Sequence, residues 1–242
     1  MTEHEFHFDW AVHTMLRLLS SYRFETVLDV GSGSGEHGRL LRHFGKRVFT
    51  VDLKDDADYV GDFLGLELDR RFDAVWCSHV LEHQRNVGLF LEKVYDALAD
   101  VGVLALTVPI HDRRRLVSGH LSTWNAGLLC YHLVLAGFDC REARLLESCE
   151  LGLIVEKRPA RGGDVRGPAA YDEVAMLGRY FPFPAFGGAE AEISEVNWGG
   201  TKYHLPEPAT PGPITIVSKN LPERRYTISG TAADAVGVTE LP

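Results

Sequence analysis

Apolar residues first recur at helical spacing in residues 6–20 (FHFDWAVHTMLRLLS), where Phe8, Val12, Met15, Leu16 and Leu19 share one face. The pattern predicts an amphipathic helix ahead of the first strand. Thr26–Val30 is then a short apolar run that closes on glycines, the pattern of a buried strand. Gly35–Phe44 reads as a helix, Arg47–Leu53 as a second strand, Tyr59–Val60 as a short third and Phe72–Cys77 as a fourth. Val87–Ala99 puts Leu91, Val94, Tyr95 and Leu98 on one side of a helix. Gly102–Val108 is a fifth strand stopped by Pro109, and Thr123–Ala136 is a helix ended by Gly137. Phe138–Leu146 and Leu151–Glu156 read as a closing pair of strands. Strands alternating with helices predict an α/β fold in three layers, with a seven-stranded, mostly parallel sheet covered on both faces.

The texture changes near Lys157. Residues 158–188 carry Pro159, Gly162, Gly163, Gly167, Pro168, Pro182, Pro184, Gly187 and Gly188, which predicts a boundary and a loop-rich extension. We therefore divide the chain into residues 1–158, an α/β domain, and residues 159–242. Ile214–Ser218 and Tyr226–Ser229 are candidate strands in the second part. The extension reads as a lid, an acceptor cap or the contact of a homodimer.

The chain has 242 residues, enough for one such domain and an appendage, and its 45% apolar content supplies a full core. The net charge of -9 gives a general nucleic-acid binder no basic field, so no nucleic-acid partner is expected. No apolar run approaches the roughly 20 residues of a membrane helix, so no membrane insertion is expected. Met1–Glu5 carries acids where a signal peptide carries bases, so a cytoplasmic location is expected. Cys77, Cys130, Cys140 and Cys149 form no C-x-x-C pair and read as free thiols, not as a structural zinc site.

The candidate chemistry starts at Val27–Gly38, VLDVGSGSGEHG, where a strand runs through glycines into a helix. Such a turn lets a ligand approach the backbone. Gly33, Gly35 and Gly38 fit the dinucleotide spacing G-x-G-x-x-G. The first glycine after the strand is Gly31, however, and the better frame is Asp29-x-Gly31-x-Gly33-x-Gly35. An acid two residues before the first glycine suits a cationic ligand and repels a pyrophosphate. S-adenosylmethionine, with its ammonium and sulfonium groups, is such a ligand.

On these residues the chain resembles the class I, Rossmann-like S-adenosylmethionine-dependent methyltransferases over about residues 25–157. The resemblance implies this cofactor, with S-adenosylhomocysteine as product. It implies that Asp29 orients the turn and holds the methionine end, usually through water. Gly31, Gly33 and Gly35 would pass beneath the cofactor. Asp52, about 20 residues beyond the glycines, would accept both ribose hydroxyls with its two oxygens. Leu53 would pack on adenine, and Asp62-Phe63 matches the acid-aromatic position at the adenine amino group. Ser78 and His79, at the end of the fourth strand, would face the transferable methyl. Val80-Leu81-Glu82-His83 matches a segment frequent in the family.

Methyl transfer is an in-line displacement that relies on positioning, and a base is needed only where the acceptor must lose a proton. His79 is the first candidate base, His83 the second, and His111 a third catalytic candidate. Against these stand plainer roles: His79 ordering the cofactor, Glu82 and His83 capping a helix start. Some relatives bind a divalent ion through an E-x-x-E-H segment. Here the first position is His79, so a metal held by His79, Glu82 and His83, with His111 or His120, is the lesser reading and no metal is expected. Arg113, Arg114 and Arg115 offer bidentate recognition of an acceptor phosphate or carboxylate, or form a solvated basic loop. His120 and Trp124 are candidate acceptor contacts, with Trp124 equally a core residue. Tyr180–Phe186 is aromatic-rich and either lines an acceptor pocket or anchors the extension.

The expected activity is methylation of an oxygen or nitrogen on a small-molecule acceptor, such as a sugar or a phosphate-bearing metabolite. The rivals are a non-catalytic S-adenosylmethionine-binding protein and an NAD-dependent oxidoreductase or epimerase. The latter lacks a Tyr-x-x-x-Lys-type pair. RNA methylation is disfavoured, because three arginines are too small a footprint.

Overall fold

The computed structural model describes residues 4–110, 116–158, 170–184, 193–210, 212–218, 224–228, 236–237 and 239–240. Strand β1 (His4–Phe8) leads into helix α1 (Val12–Ser21). Then follow β2 (Thr26–Val30), α2 (Glu36–His43), β3 (Arg47–Asp52), β4 (Tyr59–Val60) and β5 (Phe72–Ser78). After them come α3 (Val87–Ala97), β6 (Leu98–Pro109), α4 (Ala126–Leu135), β7 (Arg144–Glu147) and β8 (Glu150–Glu156). The later part holds α5 (Tyr171–Met176), β9 (Glu195–Val196), β10 (Lys202–Tyr203), β11 (Ile214–Ser218), β12 (Arg224–Ile228), β13 (Val236–Gly237) and β14 (Thr239–Glu240).

The central sheet runs β4-β3-β2-β5-β6-β8-β7-β9. Strands β4, β3, β2, β5 and β6 are parallel, and β8 enters antiparallel to β6 and β7. The seven expected strands are all present, and a two-residue eighth, β9, adds to β7. Side chains alternate across each strand, so the two faces bury different sets. Val27, Ala74 and Trp76 pack with Met15 and Leu16 of α1 and Leu40 and Leu41 of α2. Leu28, Val75 and Cys77 pack with Leu91 and Val94 of α3 and Leu129 and Leu133 of α4. This is the three-layer, Rossmann-like α/β architecture. The chain moves outward from β2 through β3 to β4, then returns to place β5 on the other flank of β2. That reversal opens a crevice at the carboxyl ends of β2 and β5, where open α/β sheets bind ligands.

Three expectations need correction. Residues 6–20 do not form one helix, because His4–Phe8 is a strand paired in parallel with β11, from His4↔Ile214 to Phe8↔Ser218. Phe6 and Phe8 alternate inward as a strand requires, but the strand depends on a partner about 210 positions away that local periodicity does not register. Strand β11 pairs in turn with β12, and β12 with β14, to make a second, four-stranded sheet. The strand expected at Phe138–Leu146 starts only at Arg144: Phe138, Cys140 and Ala143 are buried in irregular chain. Strand β6 begins at Leu98, four residues early, where an irregularity between Phe72 and Ala74 shifts its register with β5.

Residues of the extension enter the same core. Trp198, Tyr203, Leu205, Ile214 and Ile216 pack with α1. Arg17 of α1 is 6% exposed, lies 4.7 Å from the Tyr203 ring centroid and 5.5 Å from that of Trp198, and donates to the Gly200 carbonyl. Desolvated cation–aromatic contacts contribute about 2 kcal/mol. Arg17→Ala is therefore expected to lower unfolding free energy by about 2 kcal/mol in denaturant titration and to expose residues 193–210 to proteolysis. A change confined to a few tenths would show that this segment holds on without α1.

Candidate active site

The glycine turn follows from the end of β2. Gly31, Gly33 and Gly35 adopt φ of 75°, 56° and 77°, the left-handed region that costs other residues energy. The Gly31 and Ser32 N–H groups donate to the Val51 carbonyl at 2.8 and 3.2 Å, which ties the turn to β3. At Gly31 an added Cβ would lie 2.3 Å from Val80 Cγ2. Left-handed strain and overpacking of this kind sum to about 3 kcal/mol. Gly31→Ala is expected to lower the thermal midpoint by several degrees, and Val80→Ala in the same chain to recover part of the loss. If Val80→Ala recovers nothing, this contact is not the constraint.

Asp52 closes β3 beside the turn. Its Oδ2 accepts the Gly33 N–H at 2.8 Å and its Oδ1 accepts the Lys54 N–H at 3.1 Å, while Lys54 Nζ donates to the Gly33 carbonyl at 3.2 Å. The cleft beyond has a volume of about 470 Å³. Gly31, Asp52, Leu53, Asp62, Phe63 and His79 line it, with Val80, His83, Gln84 and Phe90 completing the wall. Leu53 is 76% exposed and offers an uncovered apolar face. Asp62 caps the short 3-10 turn Phe63–Gly65 by accepting the Leu64 N–H at 3.1 Å. Phe63 is buried against Phe90, with ring centroids 5.3 Å apart.

Asp29 lies beneath this surface. It is 2% exposed, and its Oδ2 has no hydrogen-bond partner among the described residues. Burial pushes its pKa up to about 7, against the pull of Arg42. In the unfolded chain the same group ionises near pH 4. The folded state thus holds the proton more tightly, so stability falls as pH rises from about 4 to about 7 and is level above. Asp29→Asn, a permanent mimic of the neutral form, is expected to gain on the wild type across that window in urea titrations. A difference independent of pH would remove the assignment.

Across the crevice, β5 ends at Ser78, whose Oγ pairs with Thr107 Oγ1 at 3.0 Å. His79 follows with φ 54°, one of three non-glycine residues in the left-handed region among the described residues. Its Nε2 lies 2.8 Å from Glu150 Oε2 and its Nδ1 3.4 Å from Glu82 Oε1. Burial disfavours the charged ring, yet the Glu150 and Glu82 carboxylates outweigh it and raise the pKa to about 9. Trp10 stacks on this ring at 5.1 Å. The next residue, Ala11, also left-handed at φ 70°, donates its N–H to Glu150 Oε1 at 2.6 Å. Strained residues that share one carboxylate at a cleft are a mark of a functional site.

The structure thus brings together Gly31, Gly33, Asp52, Leu53, Asp62, Phe63, His79 and His83. Gly35 serves as the left-handed residue before α2, and Asp29 and Ser78 stand behind the wall. Trp124 is corrected from acceptor contact to core: it is 5% exposed and packs edge-on against His132. His120 lies beside His83, ring centroids 4.9 Å apart. His111 and Arg113–Arg115 lie outside the described residues. Tyr180 and Phe181 are buried in the core with Tyr131, the anchoring role. Glu150, Trp10 and Ala11 were missed. An acid opening the apolar run ELGLIVE was the available signal for Glu150.

The chain matches the family model described as a methyltransferase domain over residues 5–142, more than half its length. This chain belongs to the methyltransferase-domain family. Its fold is similar to that of a 1,6-didemethyltoxoflavin-N1-methyltransferase from Burkholderia thailandensis, solved with 1,6-didemethyltoxoflavin and S-adenosylhomocysteine. That pair aligns at TM-score 0.50 and 21% identity over 61% of this chain and 80% of that one. A putative methyltransferase from Bacillus halodurans aligns at TM-score 0.51 and 17% identity, over 62% of this chain and 100% of that one. A Haloferax volcanii complex of the Trm112 methyltransferase activator with a putative methyltransferase gives 0.50 and 17%, over 64% and 92%. A search of curated proteins by sequence finds no match. No helix among the described residues is long and apolar enough to cross a membrane.

Proposed function

We propose that the chain binds S-adenosylmethionine in the cleft and transfers its methyl group to an oxygen or nitrogen of a small-molecule acceptor. The observation that carries this reading is the Gly33 N–H to Asp52 bond of 2.8 Å. It sets the left-handed glycine turn against the β3 carboxylate at the mouth of the crevice. The ribose would lie on Asp52, the adenine between Leu53 and Phe63 with its amino group toward Asp62, and the sulfonium toward His79.

The acceptor side differs from the simplest expectation. Both nitrogens of His79 face carboxylates, so it has no lone pair directed at the cleft. We therefore assign it as a positioning residue, not as the base. In the reaction the acceptor lone pair attacks the methyl carbon, the carbon–sulfur bond breaks, and sulfur keeps the electron pair as a thioether. Alignment of the two partners supplies most of the acceleration. A sugar or phosphate-bearing acceptor is one class that Arg113 and Arg114 would suit by bidentate binding. Calorimetry with S-adenosylmethionine and S-adenosylhomocysteine tests the reading. Binding of both in the micromolar range is expected, and absence of binding at millimolar ligand would sink it.

A further inference from the structure

Two carboxylates share one imidazole at the end of β5. Glu150 Oε2 lies 2.8 Å from His79 Nε2, and Glu82 Oε1 lies 3.4 Å from His79 Nδ1. A ring that meets a carboxylate on each nitrogen carries a proton on both, because a lone pair facing either carboxylate would be repelled. The raised pKa of His79, about 9, agrees. One positive charge then stands between two negative ones. Glu82 is fully buried and Glu150 is 5% exposed, so the group keeps one negative charge in excess where water screens it least.

Nothing else at hand cancels that charge. No lysine or arginine among the described residues pairs with either acid. The Ala11 N–H donates to Glu150 Oε1 and Trp10 stacks on the ring, but neither brings a charge. Burial lowers the pKa of His37 and keeps that ring neutral, with its Nε2 donating to the Trp10 carbonyl. His83 Nε2 stands 3.8 Å from Glu82 Oε1, but that side chain is 45% exposed and solvent screens whatever charge it gains. The Cys77 thiol is pushed up by burial and by Glu82, so it adds no further negative charge. His79 lines the cleft, so the excess charge lies directly behind the cleft wall.

We propose that Glu82 and Glu150, with His79 between them, make this wall selective for the charged cofactor over its demethylated product. The inference rests on the proposed seating of S-adenosylmethionine with its sulfonium toward His79. S-adenosylmethionine and S-adenosylhomocysteine share the adenosine, the ammonium and the carboxylate. They differ by one methyl group and by the positive charge on sulfur. When the acceptor takes the methyl group, sulfur keeps the bonding electron pair and that charge disappears. The wall then loses its hold, and the thioether gives way to a fresh cofactor. At an effective dielectric of about 20, a unit charge about 6–12 Å from another shifts an equilibrium roughly 10–100-fold. The attraction is strongest before the methyl group moves, so it favours binding and exchange and does not speed the transfer step.

The test compares three ligands by calorimetry on the full chain. They are S-adenosylmethionine, S-adenosylhomocysteine, and an analogue in which a carbon bearing a primary amine replaces the sulfur. The wild type is expected to bind the sulfonium and the protonated amine at least about tenfold more tightly than the thioether. In the Glu82→Gln/Glu150→Gln double variant the excess negative charge is gone whether or not His79 keeps its second proton. There the preference is expected to fall by about tenfold or more, with much the smaller change in the affinity for S-adenosylhomocysteine. Acids that only pin the ring and the Ala11 N–H would weaken all three ligands alike. A double variant that unfolds cooperatively and keeps the wild-type preference would therefore overturn the proposal. So would a wild type that holds the thioether as tightly as the sulfonium, a result that needs no variant to fold. A wild type that binds none of the three overturns the cofactor site and this inference with it, whereas binding without preference overturns this inference alone.

Discussion

Glu150→Ala is expected to destabilise the chain by at least about 3 kcal/mol, read as a drop in the denaturation midpoint at neutral pH, because it removes one partner of a buried pair. The carboxylate is 7% exposed at its side chain and accepts from two groups that have nowhere else to turn. His79 Nε2 loses its 2.8 Å partner while the ring remains sandwiched under Trp10. The Ala11 N–H, bonded to Glu150 at 2.6 Å in a buried setting, is orphaned at a cost of about 1–3 kcal/mol. The two losses fall on the same joint, where β8 holds the connection between β1 and α1 against the end of β5. Glu150→Gln separates them. Its amide oxygen still accepts from Ala11, so the glutamine variant is expected to recover the backbone part of the loss but not the ion pair. Equal loss in both variants would mean that the charge alone matters. A loss below 1 kcal/mol in both would mean that the joint is held by packing.

Asp52→Ala is expected to weaken S-adenosylmethionine at least 100-fold in calorimetry. Two hydrogen bonds from ribose hydroxyls to a carboxylate are worth about 1.5–3 kcal/mol each, and tenfold corresponds to about 1.4 kcal/mol. A further loss comes from the protein itself. Asp52 Oδ2 holds the Gly33 N–H and Oδ1 holds the Lys54 N–H, so alanine also frees the glycine turn. Asp52→Asn keeps one acceptor oxygen and is expected to fall between alanine and wild type. An alanine variant with unchanged affinity would show that the ribose lies elsewhere in the cleft.

The glycine-turn side of the cleft was legible because it is local. Gly31, Gly33 and Gly35 need positive φ, and a run of glycines directly after an apolar strand advertises that need in consecutive positions. Asp52, Leu53, Asp62 and Phe63 sit at strand ends, and the order of the strands places strand ends at the crevice. The His79 side of the cleft was not legible in the same way. His79 read as a candidate base because it ends the strand that, by resemblance, faces the transferable methyl, with ordering the cofactor as its plainer role. Only the return of β8 beside β6 brings Glu150 to it, 71 positions on. Trp124 read equally as an acceptor contact or a core residue, and its burial places it in the core.

What the sequence determined by itself is whatever repeats at short range. Periods of two and near four mark the strands and helices, punctuation by glycine and proline marks their ends, and the glycine turn specifies a backbone shape. What only the tertiary structure decided depends on contacts between distant positions. Strand β1 exists because β11 offers it an edge. The extension joins the core because Arg17 and the rings of Trp198 and Tyr203 meet. The charge on His79 is set by Glu82 and Glu150, which converge on it from the turn after β5 and from β8. Burial and electrostatics are properties of neighbours in space, and composition alone does not name those neighbours.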